Sequence, residues 1–209
     1  MKQNAGVKSS GSRKTYHHGD LRKELLDAAR AEIAAHGAQA LSMASLARRA
    51  GVAQSAPYRH FSDREDLLAA VATEGFERFT EALLDAASDG DDLTALHRMA
   101  AAYLAFGERN VELYRLMFAS GLVPGAAPDS ALKRAATASF QPLLDQVTAA
   151  DPAASHLSAH VRWGQLHGLV MLKADGFIHD PVEALMGTIF FEIMAMSSLN
   201  LNRPDVPRA

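Results

Sequence analysis

The chain has 209 residues, of which 48% are hydrophobic and 22% are charged, an ordinary composition for a globular protein with a buried core. It has no cysteine, which excludes disulfides and thiolate chemistry. No apolar run is long enough to span a bilayer, and the polar, lysine-containing first twenty residues lack the apolar stretch of a secretory signal. We therefore expect a cytoplasmic protein.

The net charge of −3 conceals an asymmetry between the two parts of the chain. Residues 1–65 contain 11 Lys and Arg against 6 Asp and Glu, whereas residues 66–209 contain 10 against 18. A basic first third joined to an acidic remainder is typical of a protein whose N-terminal part contacts a polyanion. The charge distribution therefore favours a nucleic-acid partner.

The first predicted elements are an arm and two helices. Residues 1–15 are polar and basic, and they predict a flexible arm. The first helix is expected to begin near Leu21, to bury an apolar residue at every fourth position and to end at Gly37. Ser42 is suited to cap a second helix, and Gly51 is suited to end it.

The third and fourth predicted helices follow directly. A short third helix is expected from about Gln54 to His60, with Pro57 in its first turn, where the missing amide costs no hydrogen bond. Ser62 and Glu65 have the spacing of a capping box. They predict the start of a long fourth helix that ends near residue 90.

The rest of the chain predicts helices and no strand. Residues 121–129, with two prolines, predict a loop, and Pro142 is expected to kink the seventh helix. The fold class is all-α, with a three-helix helix-turn-helix domain over residues 16–64 and a C-terminal helical bundle over residues 65–209, about nine helices in total. The last five are expected near residues 93–104, 111–121, 132–147, 152–176 and 181–199.

A helix-turn-helix is predicted from two short helices joined by Ala50-Gly51-Val52 and braced by the first helix. The second of these must present small or polar side chains to base edges, and Gln54 can pair with adenine through two hydrogen bonds. Phenol, guanidinium and imidazole groups are suited to phosphate oxygens. Phe61 is expected to be an apolar plug. The predicted DNA-facing residues are Gln54, Ser55, Ala56, Tyr58, Arg59, His60 and Arg64.

The chain resembles the DNA-binding domain of the TetR family of regulators over about residues 16–70. The resemblance lies in Tyr16-His-His-Gly-Asp-Leu21, Leu41-Ser-Met-Ala-Ser-Leu-Ala-Arg-Arg-Ala-Gly-Val52, Ala56-Pro-Tyr-Arg-His-Phe61 and Asp63-Arg-Glu-Asp-Leu-Leu68. More loosely, Trp163-Gly-Gln-Leu-His167-Gly168 resembles the Trp-His-Gly signature of one TetR subgroup.

The resemblance implies a transcriptional regulator that dimerises through its last two helices and binds palindromic double-stranded operator DNA. A small molecule in the C-terminal core is expected to release it, as a repressor. It further implies that Tyr58, His60 and Arg64 hold phosphates, and that the start of the second helix also contacts DNA, through Ser42, Met43 and Ser45. The alternative is an activator or a structural DNA protein without an effector.

The effector pocket is predicted from large, adaptable apolar side chains in the C-terminal half, with few charged groups among them. Such walls favour a small and largely apolar effector. The alternative is that these residues form an ordinary core. The predicted lining residues are Phe106, Met117, Phe118, Phe140, Trp163, His167 and Met171.

Two further features bear on metal binding and on dimerisation. His156 and His160 stand at positions i and i+4, but no third ligand follows at helical spacing, so we predict no metal and no cofactor. The last helix is apolar over a wide arc, which favours pairing with a second copy over burial within one subunit. A helical enzyme or carrier is the third class considered, but no phosphate loop or nucleophile–base spacing supports catalysis.

Overall fold

The structure is a computed structural model and describes residues 21–88, 94–150, 156–182 and 184–188. Within these ranges every regular element is helical, which confirms the all-α prediction. Two 3₁₀ turns, Ala38–Ala40 and Pro57–Arg59, lie in the N-terminal part. The α-helices are α1 (Leu21–His36), α2 (Met43–Ala50), α3 (Arg64–Ser88), α4 (Ala95–Arg109), α5 (Val111–Ala119), α6 (Leu122–Gly125), α7 (Ala131–Ala138), α8 (Gln141–Ala150) and α9 (His156–Ala174).

The first two helices form as the apolar spacing predicts. Leu25, Ala29 and Ile33 are buried on one face of α1, which packs against α2 and α5. Ser42 caps α2 by accepting a hydrogen bond from the Ser45 amide at 3.1 Å. The predicted arm over residues 1–15 lies outside the described residues.

The start of α3 is shifted by one residue from the predicted capping box. The cap is Asp63, whose carboxylate accepts the Asp66 amide at 2.8 Å, and the Asp66 carboxylate accepts the Ser62 amide at 2.9 Å. Because the cap is Asp63 and not Ser62, the position three residues further on is Asp66, which takes the place predicted for Glu65.

Three predicted elements differ in the structure. The third helix is only the 3₁₀ turn Pro57–Arg59, and the predicted loop over residues 121–129 contains the short helix α6. The expected kink at Pro142 is a break, since α7 ends at Ala138 and α8 begins at Gln141. Proline has no amide to donate to the carbonyl four residues earlier, so the helix restarts with Pro142 in its first turn.

The core joins both parts of the chain around the long helix α3, which packs against α1, α4, α5, α7 and α8. Phe79 lies at its centre, with its ring 4.9 Å from Tyr103 and 5.1 Å from Phe106. Helices α4 and α9 approach closely at Gly107, where a Cβ atom would lie 2.4 Å from Val170 Cγ1.

Most of the predicted ninth helix lies outside the described residues, although residues 184–188 are helical. Among the described helices, none combines the length and hydropathy that crossing a membrane requires.

Candidate nucleic-acid interface and sensing core

The turn after α2 positions the predicted DNA-facing segment, residues 54–60. Gly51 ends α2 in the left-handed conformation with φ 66°, which glycine adopts without strain. The next amide, of Val52, donates to the carbonyl of Ala47 at 3.0 Å and closes the helix end. The chain then turns into Pro57–Arg59, and buried Pro57 anchors that turn to the core. The closed end of α2 and the buried Pro57 thereby hold the 54–60 segment at the surface.

The side chains of this segment form a polar surface. Tyr58 is 56% exposed, and Phe61 is 2% exposed and serves as the predicted apolar plug. The Arg22 guanidinium stands over the Phe61 ring, 5.2 Å from its centroid. The structure therefore leaves amide, hydroxyl, guanidinium and imidazole groups free to meet a duplex. The exposed members of the predicted set here are Gln54, Ser55, Tyr58, Arg59 and His60, while Ala56 is half-buried.

The three residues at the start of α2 that are predicted to contact DNA have structural roles within the domain. Ser42 and Ser45 cap the helix reciprocally, because the Ser45 hydroxyl also accepts the Ser42 amide at 3.4 Å. Met43 is 5% exposed and belongs to the hydrophobic core. This burial corrects the expectation that the Met43 side chain faces DNA. The two serines stay near the surface, and their DNA contacts remain predictions.

Arg64 was predicted to hold a phosphate, but its guanidinium is engaged inside the domain. Its Nε donates to the carbonyl of Leu41 at 2.8 Å and its Nη2 to the carbonyl of Ala38 at 2.6 Å. Ala38 is the first residue of the 3₁₀ turn that connects α1 to α2, and Leu41 follows its last residue. Arg64 thus ties the start of α3 to this connection, and its phosphate contact stays a prediction. Since its partners lie 23 and 26 residues away, sequence spacing gave no signal for the contact.

The predicted effector residues are brought together only in part. Around Trp163 lie Phe140, at a ring distance of 5.9 Å, His167 at 6.0 Å and Phe118 at 6.2 Å. These four side chains pack on one another as an aromatic cluster. The remaining three lie elsewhere: Phe106 packs on Phe79, Met117 faces Gly75, and Met171 packs against the core.

A series of hydrogen bonds between the side chains of Tyr103, Tyr114 and His167 crosses this cluster. The hydroxyls of Tyr103 and Tyr114 are 2.8 Å apart, and the Tyr114 hydroxyl is 2.7 Å from His167 Nδ1. Burial raises the pKa of both tyrosines and lowers the pKa of His167. Sequence reasoning missed the two tyrosines, although a hydroxyl on an apolar helix face signals the need for a buried partner.

A cavity of about 270 Å³ lies apart from this cluster, between the C-terminal halves of α4 and α9. Its wall includes none of the seven residues predicted to bind the effector. Leu104 and Val111 line it from one side, and Leu169 and Val170 from the other. No sequence pattern predicts this cavity, because an empty volume depends on how the helices cross.

The histidine pair of α9 gives no support for a metal. His160 Nδ1 is 2.7 Å from the carbonyl of His156, and its ring stacks on Phe140 at 4.4 Å. Over the part of the chain that the structure describes, no group of three or more potential metal-ligating side chains occurs.

The sequence matches two profiles of one family. That of bacterial regulatory proteins of the tetR family matches residues 25–71, and that of the tetracyclin repressor-like C-terminal domain matches residues 96–194. A protein with unknown function from Rhodococcus sp. RHA1 is 35% identical; the alignment covers 85% of this chain and 95% of that one, with a TM-score of 0.74. The chain belongs to the TetR family. As a TetR-family member, it is a DNA-binding transcription regulator.

Solved structures of other TetR-family regulators share its fold. One from Marinobacter aquaeolei VT8 is 24% identical over 80% of this chain and 92% of its own, with a TM-score of 0.60. Another from Streptomyces coelicolor is 14% identical over 86% and 81%, with a TM-score of 0.70. No curated protein matches this TetR-family chain. The Trp-His-Gly subgroup stays a prediction.

Proposed function

We propose that the protein is a homodimeric repressor that binds a palindromic operator and leaves it when a small, largely apolar effector binds the C-terminal domain. The exposed polar surface of residues 54–60 is the observation that supports operator binding most strongly. In a dimer, two such segments about 34–36 Å apart enter successive major grooves. Residues 16–64 form the DNA-binding domain and residues 65–209 the sensing and dimerising domain. The proposal assigns no enzymatic activity and places the protein in the cytoplasm with the chromosome.

The first test is binding of the purified protein to DNA upstream of its own gene, titrated across salt concentrations against random DNA. We expect a footprint over a palindrome and a steep salt slope, because phosphate contacts release counterions. Absence of binding at low salt would overturn the proposal. Operator binding that no candidate effector changes would instead favour an activator or structural DNA protein.

Arg59 is the sharpest probe of the DNA-facing surface. Its side chain is exposed and adjoins Tyr58. We expect Arg59→Ala to weaken operator binding several-fold and to lower the salt slope by about 1, the loss of one phosphate contact. Exposed Arg109, at the end of α4, supplies the matched control: Arg109→Ala removes the same charge and should leave both quantities unchanged. Equal effects of the two changes would show that only net charge matters.

The exposed face of α9 supports the dimer. Leu157, Val161 and Leu172 are 70%, 52% and 45% exposed, and they lie on one helix face with Gly164 and Gly168. A Cβ atom at either glycine would meet nothing within 4 Å, so a second helix has room to approach. An exposed apolar stripe of this kind usually marks a protein interface, and a second copy is the partner that a symmetric regulator offers.

Val161→Glu is therefore expected to convert the dimer to a monomer, because it buries an unpaired carboxylate at the centre of this face. Molecular mass by light scattering measures the change. Leu84 is 51% exposed on α3, and Leu84→Glu is the control that adds the same charge away from α9. A Val161→Glu protein that stays dimeric would place the interface elsewhere.

A further inference from the structure

The cavity between α4 and α9 has the chemistry of a binding site. Its walls are mostly aliphatic, and its volume of about 270 Å³ lies just below the range of drug-sized pockets. Two ionised side chains belong to the wall: the cation Lys173, whose side chain is only 17% exposed, and the carboxylate Glu108. The Lys173 ammonium lies 3.2 Å from a Glu108 carboxylate oxygen and donates to the Asp180 carbonyl at 2.7 Å. The ammonium is thus held at the edge of an apolar space.

We propose that this cavity binds a small aliphatic carboxylic acid, whose carboxylate pairs with Lys173. Glu108 is 46% exposed and lies at a helix end, so it can turn to solvent and yield the ammonium to the ligand. Once Glu108 has turned away, a carboxylate on a flexible apolar tail matches the Lys173 cation in an aliphatic wall, whereas a neutral molecule leaves Lys173 paired with Glu108. This inference rests on the proposed function, since it names the chemical class of the effector and its site.

The structure also connects the cavity to the DNA-binding domain. Ala174 lines the cavity, and its carbonyl accepts a hydrogen bond from Arg115 Nη2 at 2.9 Å. The same guanidinium pairs with Asp175 at 2.6 Å and with Glu112 at 2.8 Å. The other carboxylate oxygen of Glu112 lies 2.9 Å from the place of a Cβ on Gly37, directly after α1.

Arg115 therefore ties the end of α9 to α5, and α5 packs against α1. A ligand that moves Lys173 and Ala174 shifts the groups that Arg115 holds, and it thereby changes the position of α5 relative to α1. This requires that the ligand fit one arrangement of α9 better than the other. Arg115 acts as a positioning residue, since it touches the cavity wall from outside.

Octanoate is the probe for the site, and 1-octanol is its matched uncharged control. Calorimetric titration of the full-length protein should give one octanoate per chain and at least about tenfold weaker octanol binding. Lys173→Met should remove this preference, and Lys173→Arg should keep it. Equal affinities for acid and alcohol, an unchanged preference in Lys173→Met, or no binding of any linear acid from hexanoate to dodecanoate would overturn the proposal.

The link to DNA is tested separately with Arg115→Met. This variant should bind octanoate within a few-fold of the parent, but octanoate should no longer weaken its operator binding. If octanoate still releases Arg115→Met from DNA, the route through Arg115 is wrong. Operator binding measured without any acid tests the repressor itself, so a protein that binds octanoate but no operator refutes the proposed function and leaves the cavity assignment standing.

Discussion

Arg64→Met is expected to lower the free energy of unfolding by about 2–4 kcal/mol, because two hydrogen bonds from a charged donor are lost together. The acceptors are the carbonyls of Leu41 and Ala38, at 2.8 and 2.6 Å. Both belong to the connection that sets α2 against α1. Methionine keeps the apolar stem and leaves both carbonyls without this partner. Urea denaturation followed by circular dichroism measures the change.

This result separates a structural arginine from a DNA-contacting one. Arg64→Lys should recover only part of the stability, since an ammonium lacks the planar fork that reaches two carbonyls at once. Arg59→Ala should leave the unfolding midpoint nearly unchanged and weaken operator binding instead, because its side chain is exposed. If Arg64→Met unfolds at the parental midpoint but binds operator poorly, the phosphate contact predicted from sequence is correct.

The N-terminal fold was predictable because its signals are local. Ser42 stands one residue before α2, and Gly51 stands one residue after it in the left-handed conformation. A cap needs a hydroxyl close to free amides, and a left-handed turn needs glycine. Both requirements are visible within a few positions of sequence. The polar surface of residues 54–60 followed from the same local reasoning.

For the sensing domain, the sequence predicts that the elements are helices. It does not predict where those helices break or how their side chains pack. Proline excludes a straight helix through Pro142, yet whether the chain bends or restarts depends on the helices against which both halves pack. The seven residues predicted to line the effector pocket are large and mostly apolar. Residues of a closed core and residues of an open pocket share these two properties. The cavity borders Gly107, where the missing side chain lets α4 approach Val170, and that contact spans 63 positions of sequence.

Tyr114→Phe is the second change with a large expected effect, about 2–4 kcal/mol of lost stability. The position of the Tyr114 hydroxyl among its hydrogen-bond partners explains the size of this loss. The hydroxyls of Tyr103 and Tyr114 are 2.8 Å apart and the Tyr114 hydroxyl is 2.7 Å from His167 Nδ1, so the Tyr114 hydroxyl is the middle group of the three. Removing the middle hydroxyl leaves the buried Tyr103 hydroxyl and the half-buried His167 Nδ1 without this partner. A buried polar group without a partner costs about 1–3 kcal/mol, and the half-buried imidazole adds a smaller share.

A double-mutant cycle in chemical denaturation tests whether the two tyrosine hydroxyls act as a unit. Tyr103→Phe combined with Tyr114→Phe should cost less than the sum of the single changes, because the second removes a hydroxyl that the first has already deprived of a partner. Strict additivity would show that the two hydroxyls are independent of each other.

The contact between Tyr114 and His167 predicts a pH dependence, because His167 Nδ1 can accept a hydrogen bond only while the imidazole is neutral. Burial lowers its pKa in the folded protein below the ordinary 6.5, so the unfolded chain binds more protons as the pH falls through 6.5 towards the lowered value. This stability is present above pH 6.5 and is lost across that window. His167→Gln keeps an acceptor for Tyr114 but does not titrate, and its melting temperature should fall less between pH 7.5 and 5.5. If the parent and the variant lose stability equally, His167 does not govern this window.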